Sequence, residues 1–464
     1  MFKNINIFRA IVAILILFIP LYPKFPLNFV SGTYVAIRLD DIVVLLCVLV
    51  WLIYQITNKL PFLKIKITRL FIAYLLAITT SMITAILIYQ TEPLNILLLN
   101  LFRRFEYMSL FFITVDSIKT KKDFTFPYIF LILSTTLVSL YGYGQKYFNF
   151  PVISTMNSEF AKGQLLQMDV WTRINSTFAG HYDLATFMSV VLVIIGGVTL
   201  LSKKWWIKIT GLIIWLAVFP ILTLTASRIS TFAFWAGMCL TLILIKKYLW
   251  IIPVSLLMIF SIFNSKDLNQ RLLATVDIVQ KRFTVTPTPA VLKIEPTIPP
   301  QKPPVVAIKP ITKPVIPTPT IFRHEPTEEF IPIDSDIGVA RSGEIRFNVE
   351  WPRAITALTK NPITGTGLGS ITLATDNDYL RLLGESGVLG FITFMGINFY
   401  FIIRTIPIIF KKNKKYQDNL NLIFLGALVT MMANATFIDV FEASKTAYMF
   451  WIMMGVYYKT LSQE

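Results

Sequence analysis

Long apolar runs separated by short polar segments dominate the chain. Examples are Leu70–Tyr89, Phe124–Tyr143, Asp183–Leu201 and Gly387–Ile403. Each is close to the roughly 20 residues that an α-helix needs to cross the hydrocarbon core of a bilayer. The pattern predicts an all-α fold, namely a polytopic transmembrane helical bundle of about twelve spans. The predicted spans lie near 7–22, 41–56, 70–90, 95–115, 125–147, 183–201, 206–224, 229–245, 248–264, 387–409, 420–436 and 443–458.

The basic residues between these spans indicate their orientation. If the N-terminus is cytoplasmic, every loop on that side is basic, as the positive-inside rule requires. Those loops contain Lys59, Lys64, Lys66 and Arg69; Lys119, Lys121 and Lys122; Lys203, Lys204 and Lys208; Lys246 and Lys247; and Lys411, Lys412, Lys414 and Lys415. We therefore expect a multi-pass protein of the cytoplasmic membrane, with an even number of spans and both termini cytoplasmic.

Composition excludes a soluble globular domain. Of 464 residues, 55% are hydrophobic and only 15% are charged, whereas a soluble domain has roughly a quarter charged. The net charge of +17 lies mostly in the short loops, so we expect the lipid bilayer, and no nucleic acid, as a partner. Cys47 and Cys239 both fall inside apolar runs and are interpreted as small hydrophobes, without a disulfide or metal framework.

The apolar runs divide the chain into three parts. Residues 1–264 are expected to form an N-terminal bundle of about nine spans, and residues 387–464 about three more. Residues 265–386 are expected to form a large extracytoplasmic loop between spans nine and ten. This loop contains a Pro-rich, low-complexity insert at 284–332, and 13 of the 25 prolines lie between Pro287 and Pro332. Such a composition favours extended polyproline II and is interpreted as a tether. The apolar N-terminus is interpreted as an uncleaved first span.

Several arginines fall near the outer ends of the predicted spans. Arg103 lies within the fourth span with Glu106 close by. A buried ion pair, snorkelling toward the interface or an anion site that opens outward would each explain such a residue. The others are Arg173, Arg228, Arg346 and Arg353. Guanidinium groups bind phosphate oxygens bidentately and stay charged at any working pH. Convergence of these arginines would suit a lipid-linked pyrophosphate, whereas isolated loop arginines are ordinarily solvated.

A Gly-rich segment, NPITGTGLGS at 361–370, precedes TDNDYLRLLGESGVLG at 375–390. Glycines permit tight backbone conformations, and the first piece is expected to be a turn. The second places Asp376 and Asp378 at the mouth of the tenth span, with Arg381 and Glu385 at helical spacing. A helix cap supplied by Asp376 or Asn377 is the structural alternative to a catalytic role.

Three pieces together resemble the O-antigen ligase and O-antigen polymerase family of membrane glycosyltransferases. They are the Arg173–Asp183 segment, the Ser227–Arg228 pair after a threonine-rich span end, and the Pro-Ile-x-Gly-x-Gly turn beginning at Pro362. In ligases the turn leads to His-Asn, nine residues and Gly-x-x-Gly. Here the matching residues are Asp376-Asn377, nine residues, and Gly387-Val388-Leu389-Gly390. The resemblance covers about 70–410, apart from the Pro-rich insert.

The resemblance implies transfer of an oligosaccharide from an undecaprenyl pyrophosphate donor to a glycan or lipid-glycan acceptor, at the outer face of the cytoplasmic membrane. It implies Asp376 as base or acceptor orienter, in place of the ligase histidine, with Arg173 and Arg228 on the pyrophosphate. Arg103, Arg353, Arg381, Asn377 and Asp378 are further candidate substrate-binding residues. We expect no cofactor and no metal, because the donor is already activated.

Two other functions fit the same sequence. A transporter or flippase for a lipid-linked or anionic substrate would also be polytopic, although the sequence lacks the paired broken spans of many such folds. A protein O-oligosaccharyltransferase would share the motifs and differ only in its acceptor. Asp376 in place of the ligase histidine favours a polymerase or another family member over a ligase.

Overall fold

The structure is a computed structural model that describes residues 7–23, 25–29, 36–89, 93–153, 165–166, 173–265, 268–269, 345–371 and 375–462. The Pro-rich insert predicted at 284–332 lies outside the described residues, as does most of the predicted loop N-terminal to residue 345. The fold is all-α, as predicted.

Thirteen α-helices are present in the described residues, each built around one of the apolar runs except the short tenth. They are α1 Ile7–Leu21, α2 Leu39–Thr57, α3 Thr68–Thr84, α4 Leu94–Ser117, α5 Thr125–Tyr147, α6 His181–Leu201, α7 Trp205–Leu224, α8 Arg228–Leu244, α9 Ile251–Asn264, α10 Trp351–Lys360, α11 Asp378–Phe410, α12 Tyr416–Asn434 and α13 Ser444–Ser462. Short π-helical turns follow α3 at Ala85–Tyr89 and precede α10 at Arg346–Glu350.

Each of the twelve predicted spans coincides with one of these helices. Within the described residues, six helical segments are long and apolar enough to cross a membrane: Leu39–Thr57, Thr68–Ile88, Thr125–Tyr147, His181–Leu201, Trp205–Leu224 and Asp378–Phe410. Shorter apolar helices lie at Ile7–Leu21, Arg228–Leu244 and Tyr248–Asn264. A count of twelve crossings, the orientation of the termini and the three-part division of the chain stay predictions.

The centre of the bundle is α6, of which 83% of the most apolar stretch is buried. It packs against α7, α8 and α12, while α13 packs against α4 and α11 packs against α3. The helices around this centre expose large apolar side chains such as Leu46, Leu87 and Ile252. Such an outer surface is stable where it faces lipid.

Small residues bring α8 and α12 into close contact. A Cβ added at Gly237 would meet Thr430, and one added at Gly426 would meet Thr241. Small residues at a crossing let two helix backbones approach, which is how membrane helices gain packing energy. This crossing fixes the start of α8, which carries Arg228, relative to the chain that follows α12.

Two short antiparallel ladders lie between helices. β1 (Pro26–Phe29) pairs with β2 (Ala36–Arg38) after α1, and β3 (Val152–Ile153) pairs with β4 (Leu165–Leu166) after α5. Both ladders follow helices that run toward the same end of the bundle as the start of α6. Cys47 in α2 and Cys239 in α8 are free and partly buried, as expected of small apolar residues.

Candidate functional site

Sequence-distant segments meet at one end of the bundle, which we call the arginine end. It is formed by the starts of α6, α8 and α11, at His181, Arg228 and Asp378, and by the segment just before α10. Of the predicted site residues, it brings together Arg173, Arg228 and Asp376. Their prediction as one site came from the resemblance, and the fold places them near each other.

The contact at the centre of this end joins Arg346 to Asp376. Nε and Nη2 of Arg346 both donate to Oδ2 of Asp376, over 2.8 and 2.7 Å. Arg346 is buried, and its guanidinium carbon lies 6.0 Å from the centre of the Tyr182 ring. The carboxylate of Asp376 is therefore held by a cation, with its other oxygen, Oδ1, outside that contact.

Two more arginines surround this pair. The charge of Arg228 interacts with those of Arg346 and Arg173 and with the Tyr182 hydroxyl. Nη1 of Arg173 donates to Nε2 of His181 over 2.6 Å. An imidazole nitrogen that accepts a hydrogen bond carries no proton, so His181 is neutral here. We call Arg173, Arg228 and Arg346 the arginine cluster.

Strained backbone occurs in the segments that carry these residues. Ser176, Ala226 and Asp376 have φ values of 50°, 52° and 49°. Non-glycine residues in this left-handed region cost of order 1 kcal/mol and recur at functional sites. Ser227, which follows Ala226, caps α8 by accepting from the Ser230 amide. The turn therefore fixes Arg228 at the first position of its helix.

Asp439, in the loop between α12 and α13, holds the Asp376 loop in place. Its carboxylate accepts from the amides of Thr375 and Asn377, over 2.8 and 3.2 Å. It also accepts from Nη2 of Arg381 over 3.1 Å. Arg381 pairs in turn with Glu385 one turn along α11. Arg381 is thus engaged in a buried ion network, and a substrate-binding role for it stays a prediction.

Asn377 and Asp378 have structural partners. The Asn377 side chain accepts from the Leu380 amide over 3.0 Å and caps α11. The buried Asp378 carboxylate accepts from the amides of Val440 and Phe441. Capping by Asn377 is the structural alternative that the sequence left open. The Asn377 side chain therefore caps α11 locally, and the Asp378 side chain attaches the start of α11 to the chain after α12.

The Gly-rich turn packs against an interruption in α11. Gly387 has φ 64° and ψ −172°, which interrupts the helix. The turn supplies the missing partners: the amides of Thr366 and Gly367 donate to Gly384 and Glu385, and the amides of Val388 and Leu389 donate back to Pro362 and Ile363. The positive φ values of Gly365, Gly367 and Gly369 confirm the tight turn. The Gly-rich turn and the first part of α11 therefore form one hydrogen-bonded unit around Gly387, which we call the joint.

Arg103 belongs to a different cluster. Its charge interacts with Asp41, Glu106 and Tyr107 and with Tyr448 of α13. The Tyr448 hydroxyl donates to Glu106 and to Asp41. This arrangement is the buried ion cluster that was the structural alternative for Arg103. An anion site there stays a prediction.

Glu350 is a second carboxyl near Asp376. Its charge interacts with those of Asp376, Arg346 and Arg353. Burial, reinforced by the charge of Asp376, raises the pKa of Glu350 to about 7. Burial also raises the pKa of Asp376, and the charge of Arg346 offsets part of that rise. Arg353 is therefore a charged neighbour of Glu350, and a substrate-binding role for it stays a prediction.

Sequence reasoning missed four contributors: Arg346 as the partner of Asp376, Tyr182, Glu350 and Asp439. Arg346 was noted among the outer arginines, but nothing in the sequence linked it to Asp376. Asp439 carried a usable signal, because it is an acidic residue in a short loop on the predicted outer side. Nothing in the sequence marked Glu350 or Tyr182.

Within the described residues, no group of three or more His, Cys, Asp or Glu side chains could hold a metal ion. Comparison of the chain with models of protein families and with curated proteins finds no match.

Proposed function

We propose that this protein is a membrane glycosyltransferase that uses a polyprenyl pyrophosphate-linked oligosaccharide as donor. The reaction would take place at the arginine end, on the outer face of the cytoplasmic membrane, and would transfer or polymerise the glycan. The observation that carries the proposal is the convergence of Arg173, Arg228 and Arg346 around Asp376 from four separate segments.

The arginine cluster suits a pyrophosphate. Each guanidinium offers a planar fork of donors that matches phosphate oxygens bidentately. The starts of α6, α8 and α11 lie at the same end, and helix N-termini attract anions through their unpaired amides and macrodipoles. The arrangement is therefore suited to stabilise the negative charge that develops on a pyrophosphate leaving group.

Asp376 suits the role of base. In the proposed step, the acceptor hydroxyl oxygen forms a bond to the anomeric carbon of the donor, and the bond from that carbon to the pyrophosphate oxygen breaks. The hydroxyl proton passes to the Asp376 carboxylate. Burial raises the pKa of that carboxyl, and a base works best when its pKa approaches the operating pH. Arg346 orients the carboxylate through Oδ2.

The direct test is purified protein in liposomes with a lipid-linked oligosaccharide, followed by measurement of longer glycans and of released undecaprenyl pyrophosphate. Asp376→Asn should lower the transfer rate by about a hundredfold and leave donor binding intact. A helix-capping role alone predicts nearly no effect, because asparagine caps about as well as aspartate. Asp376→His should recover part of the rate. A wild-type rate for Asp376→Asn would remove Asp376 from the mechanism.

The break at Gly387 favours a second candidate, transport of a lipid-linked or anionic substrate. Discontinuous helices build substrate sites in many secondary transporters. The two candidates differ in one product: a transporter moves the lipid-linked oligosaccharide across the liposome membrane without releasing pyrophosphate. Movement of intact donor, with no bond cleavage in the wild-type protein, would support transport. The same assay with a peptide acceptor addresses the protein O-oligosaccharyltransferase alternative.

A further inference from the structure

A large apolar cavity lies between helices of the bundle, and no member of the arginine cluster lines it. Its volume is about 850 Å³, in the upper part of the roughly 300–1,000 Å³ range of ligand cavities. Helices α1, α5, α6, α7, α12 and α13 contribute to its lining. Its walls are mostly apolar, with Phe187, Val191, Ile194 and Leu420 among the lining residues.

The cavity runs along α6 from near the arginine end to the opposite end. Thr186 lines it near the start of the helix, and Leu201 lines it at the last residue. Fifteen residues of α-helix rise about 22 Å, which exceeds half of the roughly 30 Å hydrocarbon core of a bilayer. The cavity is therefore long enough for a chain that spans one leaflet.

Basic side chains surround the end of the cavity that lies beyond Leu201. They come from three separate loops: Lys121 before α5, Lys203 and Lys204 before α7, and Lys415 before α12. All four are exposed, so this end of the cavity reaches the surface. Trp206 also lines it, with the Lys204 ammonium 5.8 Å from its ring. Tryptophan and lysine together are typical of the membrane–water interface.

We infer that this cavity binds an anionic phospholipid of the bilayer, with an acyl chain along the apolar walls and the phosphate at the lysines. An apolar cavity of this size without an occupant would forfeit dispersion contacts along its whole lining. Water is a poor occupant of such walls, because ordered water needs several polar partners. An acyl chain satisfies those walls, and four lysines from three loops complement a negative headgroup.

The position of the charges distinguishes this lipid from the proposed donor. The donor pyrophosphate is assigned to the arginine cluster, which lies at the N-terminal end of α6. The lysines lie at the C-terminal end of the same helix. A donor seated at the arginines cannot place its phosphates at the lysines. The site therefore goes beyond the proposed function and takes a different ligand, in the opposite leaflet.

The test uses the full-length protein, purified in detergent and exchanged with phosphatidylglycerol or phosphatidylcholine, and measures retained lipid by native mass spectrometry. The wild-type protein should retain phosphatidylglycerol over phosphatidylcholine. Lys203→Gln combined with Lys204→Gln should lower that retention by about tenfold. The matched control is Lys246→Gln with Lys247→Gln. It removes the same charge from the next basic loop, which does not line the cavity.

A second variant tests the cavity itself. Val198→Trp fills the space between α6 and α7 and should lower phosphatidylglycerol retention with the lysines intact. Equal retention of the two phospholipids would overturn the assignment, as would an equal loss in the Lys246 and Lys247 control. Preferential retention of a polyprenyl phosphate over phosphatidylglycerol would overturn it in favour of a donor-chain site. None of these outcomes depends on glycan transfer.

Discussion

Gly387→Ala is expected to destabilise the joint between the Gly-rich turn and α11. Gly387 has φ 64° and ψ −172°, a region that is essentially restricted to glycine. A Cβ at this position would meet backbone atoms of Ile363 and Gly365. Because these neighbours are backbone atoms, a rotamer change of a side chain cannot relieve the contact, and the turn itself must move.

The magnitude follows from two terms. Placing a residue with a side chain in this conformation costs about 1–3 kcal/mol. Moving the turn weakens the four backbone hydrogen bonds that join it to α11 on either side of Gly387, each worth about 1 kcal/mol. With about half of that second term lost, the substitution should cost about 4 kcal/mol of unfolding free energy.

The assay is thermal unfolding of the purified variant in detergent, with Gly396→Ala as the matched control. Gly396 lies in the same helix, and the nearest atom to an added Cβ is Leu70 Cδ2 at 3.8 Å. The control should unfold within about 1 kcal/mol of the wild type. Equal unfolding temperatures for Gly387→Ala and Gly396→Ala would show that the joint does not require glycine at position 387, and would refute this reasoning.

Three further predictions concern segments that the sequence places on the outer side. Asp439→Ala should lower the free energy of unfolding by about 3 kcal/mol, because it leaves the buried Arg381 and two loop amides with fewer acceptors. Thermal unfolding should show a smaller loss of stability for Asp439→Asn. Burial raises the pKa of Glu350 from its ordinary 4.5 to about 7, so the folded protein binds this proton more tightly than the unfolded chain and loses stability as pH rises from 4.5 to 7. Glu350→Gln cannot lose that proton, so its unfolding temperature should rise relative to that of the wild type over the same pH range. A constant difference between the two unfolding temperatures would contradict this. Ser265→Cys, with Cys47 and Cys239 replaced by Ala, should react with a membrane-impermeant thiol reagent in intact cells if this end of α9 lies outside; labelling only after lysis would reverse the topology.

Local patterns in the sequence predicted the helices and several contacts within them. The apolar runs located every long helix, because a span must supply about 20 apolar residues in sequence. The spacing of Arg381 and Glu385 put them on one helix face, since residues four apart share a face, and the structure pairs them there. The glycines at 365, 367 and 369 predicted a tight turn. Each of these signals lies within a few residues of the feature that it predicts.

Local sequence patterns could not predict which side chains from distant segments pair with each other. Arg346 and Asp376 pair across 30 residues of sequence, and no local pattern relates the two. Arg103 was grouped with the outer arginines because it lies near the same end of its span. The direction of its side chain on α4 instead places it with Glu106 and Asp41. A side-chain direction of this kind depends on how α4 packs against α2 and α13.

The most direct measurement of the central claim is the transfer rate of Arg228→Lys. An ammonium keeps the charge but cannot reproduce a bidentate contact with phosphate. Loss of one such contact to the leaving group should cost about 3 kcal/mol, or about a hundredfold in rate. Release of undecaprenyl pyrophosphate by wild type, Arg228→Lys and Arg228→Ala should be compared in matched liposomes. The proposed site predicts that Lys impairs release nearly as much as Ala; release by Arg228→Lys at the wild-type rate would contradict it.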